Sequence, residues 1–174
     1  PVSPGIAVGP GFVSETDAIK VPVYRVSPPQ IESELKRFEE AIEESKEQLL
    51  QLRFEMEEKL GPKDAMIFTV HLQLLEDSSL REKVEGKVRD DLLNIEAAIQ
   101  EVVTWYAIQI DGLSDAVLKD RSSDIRDVGN RLICNLLAHD KNHLFERTSN
   151  FILFSHELFP SDTAHMDTSK LSAI

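Results

Sequence analysis

From Ile31 onward, apolar residues recur at steps of three and four: Leu35, Phe38, Ile42, Leu49, Leu52, Met56 and Leu60, with Ser45 in the place of a missing member. Glu and Lys fill the other positions, so the pattern predicts one amphipathic helix about 45 Å long at about 1.5 Å per residue. Gly61-Pro62 ends it and reverses the chain. The next stretch, Ala65 to Asp77, has no single stripe. Met66, Val70 and Leu74 make one line, Ile67 and Leu75 a second, Phe68 and Leu72 a third, which leaves only Thr69, Gln73, Glu76 and Asp77 for a polar face. A bundle helix needs an apolar arc of little more than about 100° for its own core, so the surplus must be covered by something else. Two readings follow for this helix and for His71, which falls inside the arc. Either it is the central helix and His71 is a hydrogen-bonded core histidine, or one side packs inward while the other docks a partner.

Asp77-Ser78-Ser79 interrupts the second helix before a shorter, charged segment from Leu80 to Asp90. Asn94 is the expected cap of a third helix with the line Ile95, Ile99, Val102, Tyr106, Ile110 and Leu113, ended by Gly112 and Ser114. Ser122, Ser123 and Asp124 offer caps for a fourth, carrying Ile125, Val128, Leu132 and Leu136 and ending near His139. Short connections make an antiparallel four-helix bundle the economical, mainly α architecture. The chain ends differ. Gly5, Gly9, Gly11, Pro4 and Pro10 exclude a helix, so Ile6 to Val13 reads as a short strand. Lys20 to Val26 alternates like an edge strand, marked by Pro22. Asn150 to Ser155 reads as a buried strand, and Ser161 or Asp162 as the cap of a short helix. Strands at both ends with a bundle between them cannot close a sheet with covered faces. The expected organisation is therefore a helical subdomain, 27–140, inserted into an α/β domain made of 1–26 and 141–174, incomplete as it stands.

A net charge of −12, from 31 acidic and 19 basic residues, argues against nucleic acid and anionic membrane as partners. It suits solubility and a basic protein partner. The single cysteine, Cys134, rules out an intrachain disulfide and a CxxC metal site and fits a reducing, cytoplasmic setting. No apolar run reaches the length of a membrane span and no signal peptide is seen. The glycine cluster near Gly5 has neither Walker nor dinucleotide spacing.

Four stretches carry a resemblance: S-P-G-I-A-V-G at Ser3 to Gly9, I-F-T-V-H-L-Q-L-L-E-D at Ile67 to Asp77, L-K-D-R-S-S-D-I-R-D-V-G-N-R-L at Leu118 to Leu132, and P-S-D-T-A at Pro160 to Ala164. In this order they resemble the N-terminal region of the Enzyme I family, the phosphoenolpyruvate-protein phosphotransferases of bacterial sugar phosphotransferase systems. The resemblance implies a swivelling α/β phosphohistidine domain with an inserted helical subdomain that binds the carrier protein HPr. By position, His71, Leu74, Leu80, Ile110 and Arg121 correspond to the docking surface, with Gln73 and Asp77 at its edge. Arg126, five residues from Arg121 and so not on the same helical face, is a weaker candidate for a partner or phosphate contact than Arg121. Ser79 stands where relatives often carry an acidic residue, and Lys63 precedes the docking helix.

Thr163 corresponds to a threonine that orients the family's catalytic imidazole. That histidine sits in a G-G-R-T-S-H-type motif, which the 174 residues do not contain, so none of His71, His139, His143, His156 or His165 takes its role. The resemblance also implies a magnesium site and a homodimer contact, both in a C-terminal domain outside this sequence. Rival readings are a pyruvate phosphate dikinase-like enzyme, which lacks the docking insert that Ala65 to Asp77 suggests, and a self-associating acidic helical scaffold.

Overall fold

The computed structural model describes residues 5–14, 20–113, 116–138, 150–155, 158–166 and 168–174. The chain is mostly helical and divides into two units: Val21–His139, and the chain ends Pro1–Lys20 with Asp140–Ile174. His139, His143 and His156, and the side chain of His165, lie outside the described residues.

In the first unit, α1 runs unbroken from Ile31 to Leu60. It buries Leu35, Phe38, Ile42, Leu49 and Leu52 on one face, the face its three-and-four spacing lays down. Ser45 is fully buried on the same face, and its hydroxyl accepts a hydrogen bond from Asn135 Nδ2 at 2.9 Å. That bond removes the cost of a polar group in the core. Gly61, at φ 97°, ends α1 in a conformation that other residues adopt only under strain. Helix α2, Pro62–Leu75, starts at the next residue, so α1 and α2 form a hairpin. The charged segment beyond Asp77 is a helix of its own, α3, Ser78–Asp90. Asp77 Oδ1 caps it by accepting from the Leu80 N–H at 3.0 Å. Helices α4, Ile95–Asp111, and α5, Ala116–Leu136, pack closely. A Cβ on Gly129 would lie only 2.7 Å from Val103 Cγ2. Helix α5 packs on both α1 and α2, and α3 on α1 and α4.

Three expectations are corrected here. Lys20 to Val26 is not a strand: Arg25 makes one isolated bridge to Leu93. The segment is held as a strap, with Val26 N–H donating to Leu92 O at 2.8 Å and Asn94 N–H to Tyr24 O at 3.1 Å. Residues 21–26 accordingly belong to the helical unit. Asn94 precedes α4 but does not cap it with its side chain. Its Oδ1 accepts from the Tyr24 N–H at 2.9 Å and its Nδ2 donates to Pro22 O at 2.9 Å and Glu96 Oε2 at 2.8 Å. The cap comes from α1 instead, where Glu34 Oε2 accepts from the Ile95 N–H at 2.9 Å. Arg37 joins Glu34, at 2.9 Å, to Glu96, so that each buried carboxylate is paired. Burial alone would lower the Arg37 pKa, but its hydrogen bonds to Glu96 and Glu34 outweigh that and raise it. Third, Ser122, Ser123 and Asp124 lie inside α5, which begins at Ala116. Ser122 Oγ accepts from Arg126 at 3.0 Å and Asp124 Oδ2 from Arg121 at 3.1 Å. Side chains engaged this way do not compete for the backbone and are tolerated within a helix.

The second unit holds a three-stranded parallel sheet in the order β1 (Gly11–Ser14), β2 (Phe151–Ser155), β3 (Leu171–Ala173). Its register pairs Phe12 with Leu153 and Val13 with Phe154. One face, Phe151 and Leu153, is buried, with Phe12 edge-on to Phe151 at 5.9 Å. Of the predicted strand Ile6 to Val13, only the part from Gly11 is strand, and Ile6 and Val8 are exposed. Between β2 and β3, α6 (Pro160–His165) starts with proline, which lacks the N–H the first turn would leave unpaired. Asp162 supports that turn from its third position, accepting from the Phe159 N–H at 3.0 Å.

Candidate docking surface

Helix α2 buries the line Ala65, Phe68, His71 and Leu75. It turns Met66, Val70, Gln73 and Leu74 outward: Met66 is 62% exposed, Gln73 exposed, Val70 and Leu74 half-buried. The surplus apolar arc thus splits into a core line and an open line, and Gln73 and Leu74 sit on the open one. Asp77, also exposed, follows at the turn into α3. Ile110, half-buried, lies in the last turn of α4, one turn after Tyr106. Burial and then the charge of Asp77 push the Tyr106 phenol above its ordinary pKa. Arg121, on α5, is half-exposed and tied to Asp124 at 3.1 Å. Arg126 binds Asp111 Oδ2 at 2.6 Å and Ser122, so both guanidinium groups are already engaged.

Two residues expected on this surface are not there. His71 is 0% exposed, and Leu80 is buried with Val84 and Val88 along the inner line of α3. For Leu80 the cause is Asp77: capping at that residue starts the α3 turn so that position 80 faces inward. For His71 the cause is the three-residue step from Phe68, against which the ring stands edge-on at 5.9 Å. Its Nε2 lies 3.4 Å from Asp124 Oδ1 and its Nδ1 3.9 Å from Asp127 Oδ2, both carboxylates coming from α5. Burial would raise the Asp124 carboxyl, but hydrogen bonds from His71 and Arg121 outweigh it and hold the group below its ordinary range.

Trp105, on α4, is not marked by the pattern of apolar positions. It is 49% exposed, edge-on to Tyr106 at 4.9 Å, with Lys83 Nζ 4.7 Å from its ring centroid. Trp105 falls off the apolar line of α4; its being the chain's single tryptophan is the one signal that could have drawn attention to it. In the other unit, Thr163 is exposed on α6 and its hydroxyl donates to Pro160 O at 2.9 Å, a bond within its own helix. Among the described residues no group of three or more His, Cys, Asp or Glu side chains is arranged to hold a metal ion. No described helix is long and apolar enough to cross a membrane.

The family model described as PEP-utilising enzyme, N-terminal, matches residues 1–121. The chain belongs to that family. As a PEP-utilising enzyme N-terminal region it is 32% identical, over 99% of its length, to a phosphoenolpyruvate-protein phosphotransferase of Haemophilus influenzae. It is 34% identical, over 79% of its length, to the protein of the same name from Staphylococcus epidermidis. It spans 30% and 24% of those relatives respectively. A solution structure of an Enzyme I protein superposes with a TM-score of 0.77 at 32% identity, over 97% of this chain and 68% of that one. The N-terminal domain of an Enzyme 1 - Nitrogen protein superposes with a TM-score of 0.67 at 26% identity, over 99% of this chain and 71% of that one.

Proposed function

We propose that this PEP-utilising enzyme N-terminal region is the carrier-docking part of a phosphoenolpyruvate-protein phosphotransferase, whose helical unit binds HPr. The whole enzyme would move a phosphoryl group from phosphoenolpyruvate through a phosphohistidine to HPr. The observation that carries the reading is the open apolar line on α2, Met66, Val70 and Leu74, with Gln73 on the same side and Asp77 exposed after it; Ile110 on α4 and Arg121 on α5 are assigned to the same docking face. An apolar patch with a polar rim is the anatomy of a docking site. Thr163 is assigned the orienting of the phosphorylated imidazole: a hydroxyl that fixes the ring aligns the nitrogen for in-line transfer. The sequence holds no G-G-R-T-S-H motif, so this chain alone is expected to take no phosphate from phosphoenolpyruvate. Magnesium and the homodimer contact are assigned to parts of the enzyme outside this sequence.

The test is a titration of isotope-labelled HPr with the chain, repeated with Leu74→Asp. We expect amide shifts around the carrier's active histidine that weaken at least tenfold in the variant, while its helical spectrum and melting temperature stay as in the parent. An unchanged titration by a folded Leu74→Asp chain would move the docking site off α2.

A further inference from the structure

The buried imidazole beneath the docking face has no part in the function proposed above. We propose that His71 is a positioning residue for that face, a proton-operated tie between α2 and α5. Nε2, 3.4 Å from Asp124 Oδ1, is the nitrogen placed to carry the proton of the neutral ring. Nδ1 is buried without a hydrogen-bond partner and points at Asp127 Oδ2 from 3.9 Å. Two acceptors facing each other in a core are unfavourable, and a proton on Nδ1 turns that gap into a charge-assisted bond. The neutral ring therefore fastens α2 to α5 once, through Asp124. The charged ring fastens it twice.

Among the described residues, the charged groups next to the ring come from α5. They are Asp124, Asp127, Arg121 on the far oxygen of Asp124 at 3.1 Å, and Arg131, one turn beyond Asp127, which donates to Gln48 on α1 at 2.8 Å. Among the described residues, α1 and α3, which also pack on α2, make no ion pair with the ring. Position 71 lies two and three residues before Gln73 and Leu74 on the same helix, so the hold on His71 sets how firmly their face is presented. A face fixed before binding loses less freedom on docking and binds more tightly.

This inference rests on the docking reading for its consequence, but the tie itself can be measured without a carrier. On the full 174-residue chain, the 15N shifts of the His71 ring are followed as the pH is lowered from alkaline to acid. Amide exchange across α2 is recorded at the same pH values and corrected for intrinsic rates. We expect a bare Nδ1 and a protonated Nε2 at the alkaline end. As Nδ1 takes its proton, protection of α2 amides should rise several-fold, and in parallel titrations HPr should bind more tightly by a similar factor. Asp127→Asn should abolish both changes, and His71→Gln, which keeps a donor near Asp124 and has no titrating ring, should abolish them as a second, independent variant. A ring whose neutral form carries its proton on Nδ1, or a titration that leaves α2 protection unmoved, would overturn the tie. Failure of HPr to bind at any pH would sink the docking reading and leave the ring and exchange results to decide the tie.

Discussion

Gly129 marks where α4 and α5 approach closely, since an added Cβ would meet Val103 Cγ2 at 2.7 Å and Cγ1 at 2.9 Å. Both contacts are to a β-branched side chain on a packed helix, which has little freedom to turn away. Gly129→Ala gains helix propensity, yet the overpacking wins: we expect a net loss of about 1–3 kcal/mol in urea unfolding. A variant as stable as the parent would mean that the two helices separate at little cost. Asp124 carries a different prediction. Burial raises its carboxyl, the hydrogen bonds from His71 and Arg121 lower it, and the net is a folded value below the ordinary one. Its contribution is therefore fully present at neutral pH and is lost as pH falls below about 4, through the depressed folded value. Asp124→Asn should be less stable than the parent at pH 7, and the gap should narrow in acid. Unfolding curves at pH 7 and pH 3 that keep the same gap would show that the carboxylate's charge is not what stabilises.

At the scale of elements, what could be read from the sequence was what a single segment decides for itself. Helix α1 was legible because apolar or small positions at one spacing over many turns leave no other structure able to bury Leu35, Phe38, Ile42, Ser45, Leu49 and Leu52 together, although the line's last member, Leu60, is exposed. Even Ser45 fitted, since a serine can enter a core when a neighbour such as Asn135 donates to it. The Gly61 hinge and the break at Asp77 were legible for the same local reason. Elements decided by another part of the chain were not. Asn94 has the residue type of a cap, but its amide holds the strap at Pro22 and Tyr24 while Glu34, 61 residues away, caps α4. Lys20 to Val26 alternates like a strand, but forms none because Arg25 pairs only with Leu93. The apolar arc on α2 was legible as a surplus. Which residues of it face out depends on α5, whose carboxylates keep His71 inside. The Asp77 cap gives a test on this scale. Asp77→Ala should cost about 1 kcal/mol and selectively unprotect the Leu80 amide, the cap's partner, in hydrogen exchange. Equal protection in both proteins would show that α3 is held by its buried side of Leu80, Val84 and Val88 alone.

For the whole molecule, under the proposed docking, the net charge of −12 and the open apolar line on α2 are expected to act on different steps of one encounter. Charge works at a distance and before contact: it speeds approach of a basic face and is screened within about 10 Å at 0.1 M salt. The line Met66, Val70 and Leu74 works only after contact, when it loses water, and that gain is nearly indifferent to such salt concentrations. Rate measurements therefore separate them. Raising salt from about 0.05 to about 0.5 M should lower the association rate for HPr markedly while the dissociation rate changes little. Leu74→Asp adds a negative charge, so its association rate should hold or rise slightly, and its loss of affinity should fall almost wholly on dissociation. The same charge cannot supply both effects, because a fixed −12 has no means of distinguishing Leu74 from its neighbours. If salt instead accelerated dissociation and left association alone, the binding would be held by ion pairs at contact. Arg121 and Asp77, at the rim, would then replace Leu74 as the residues that decide affinity.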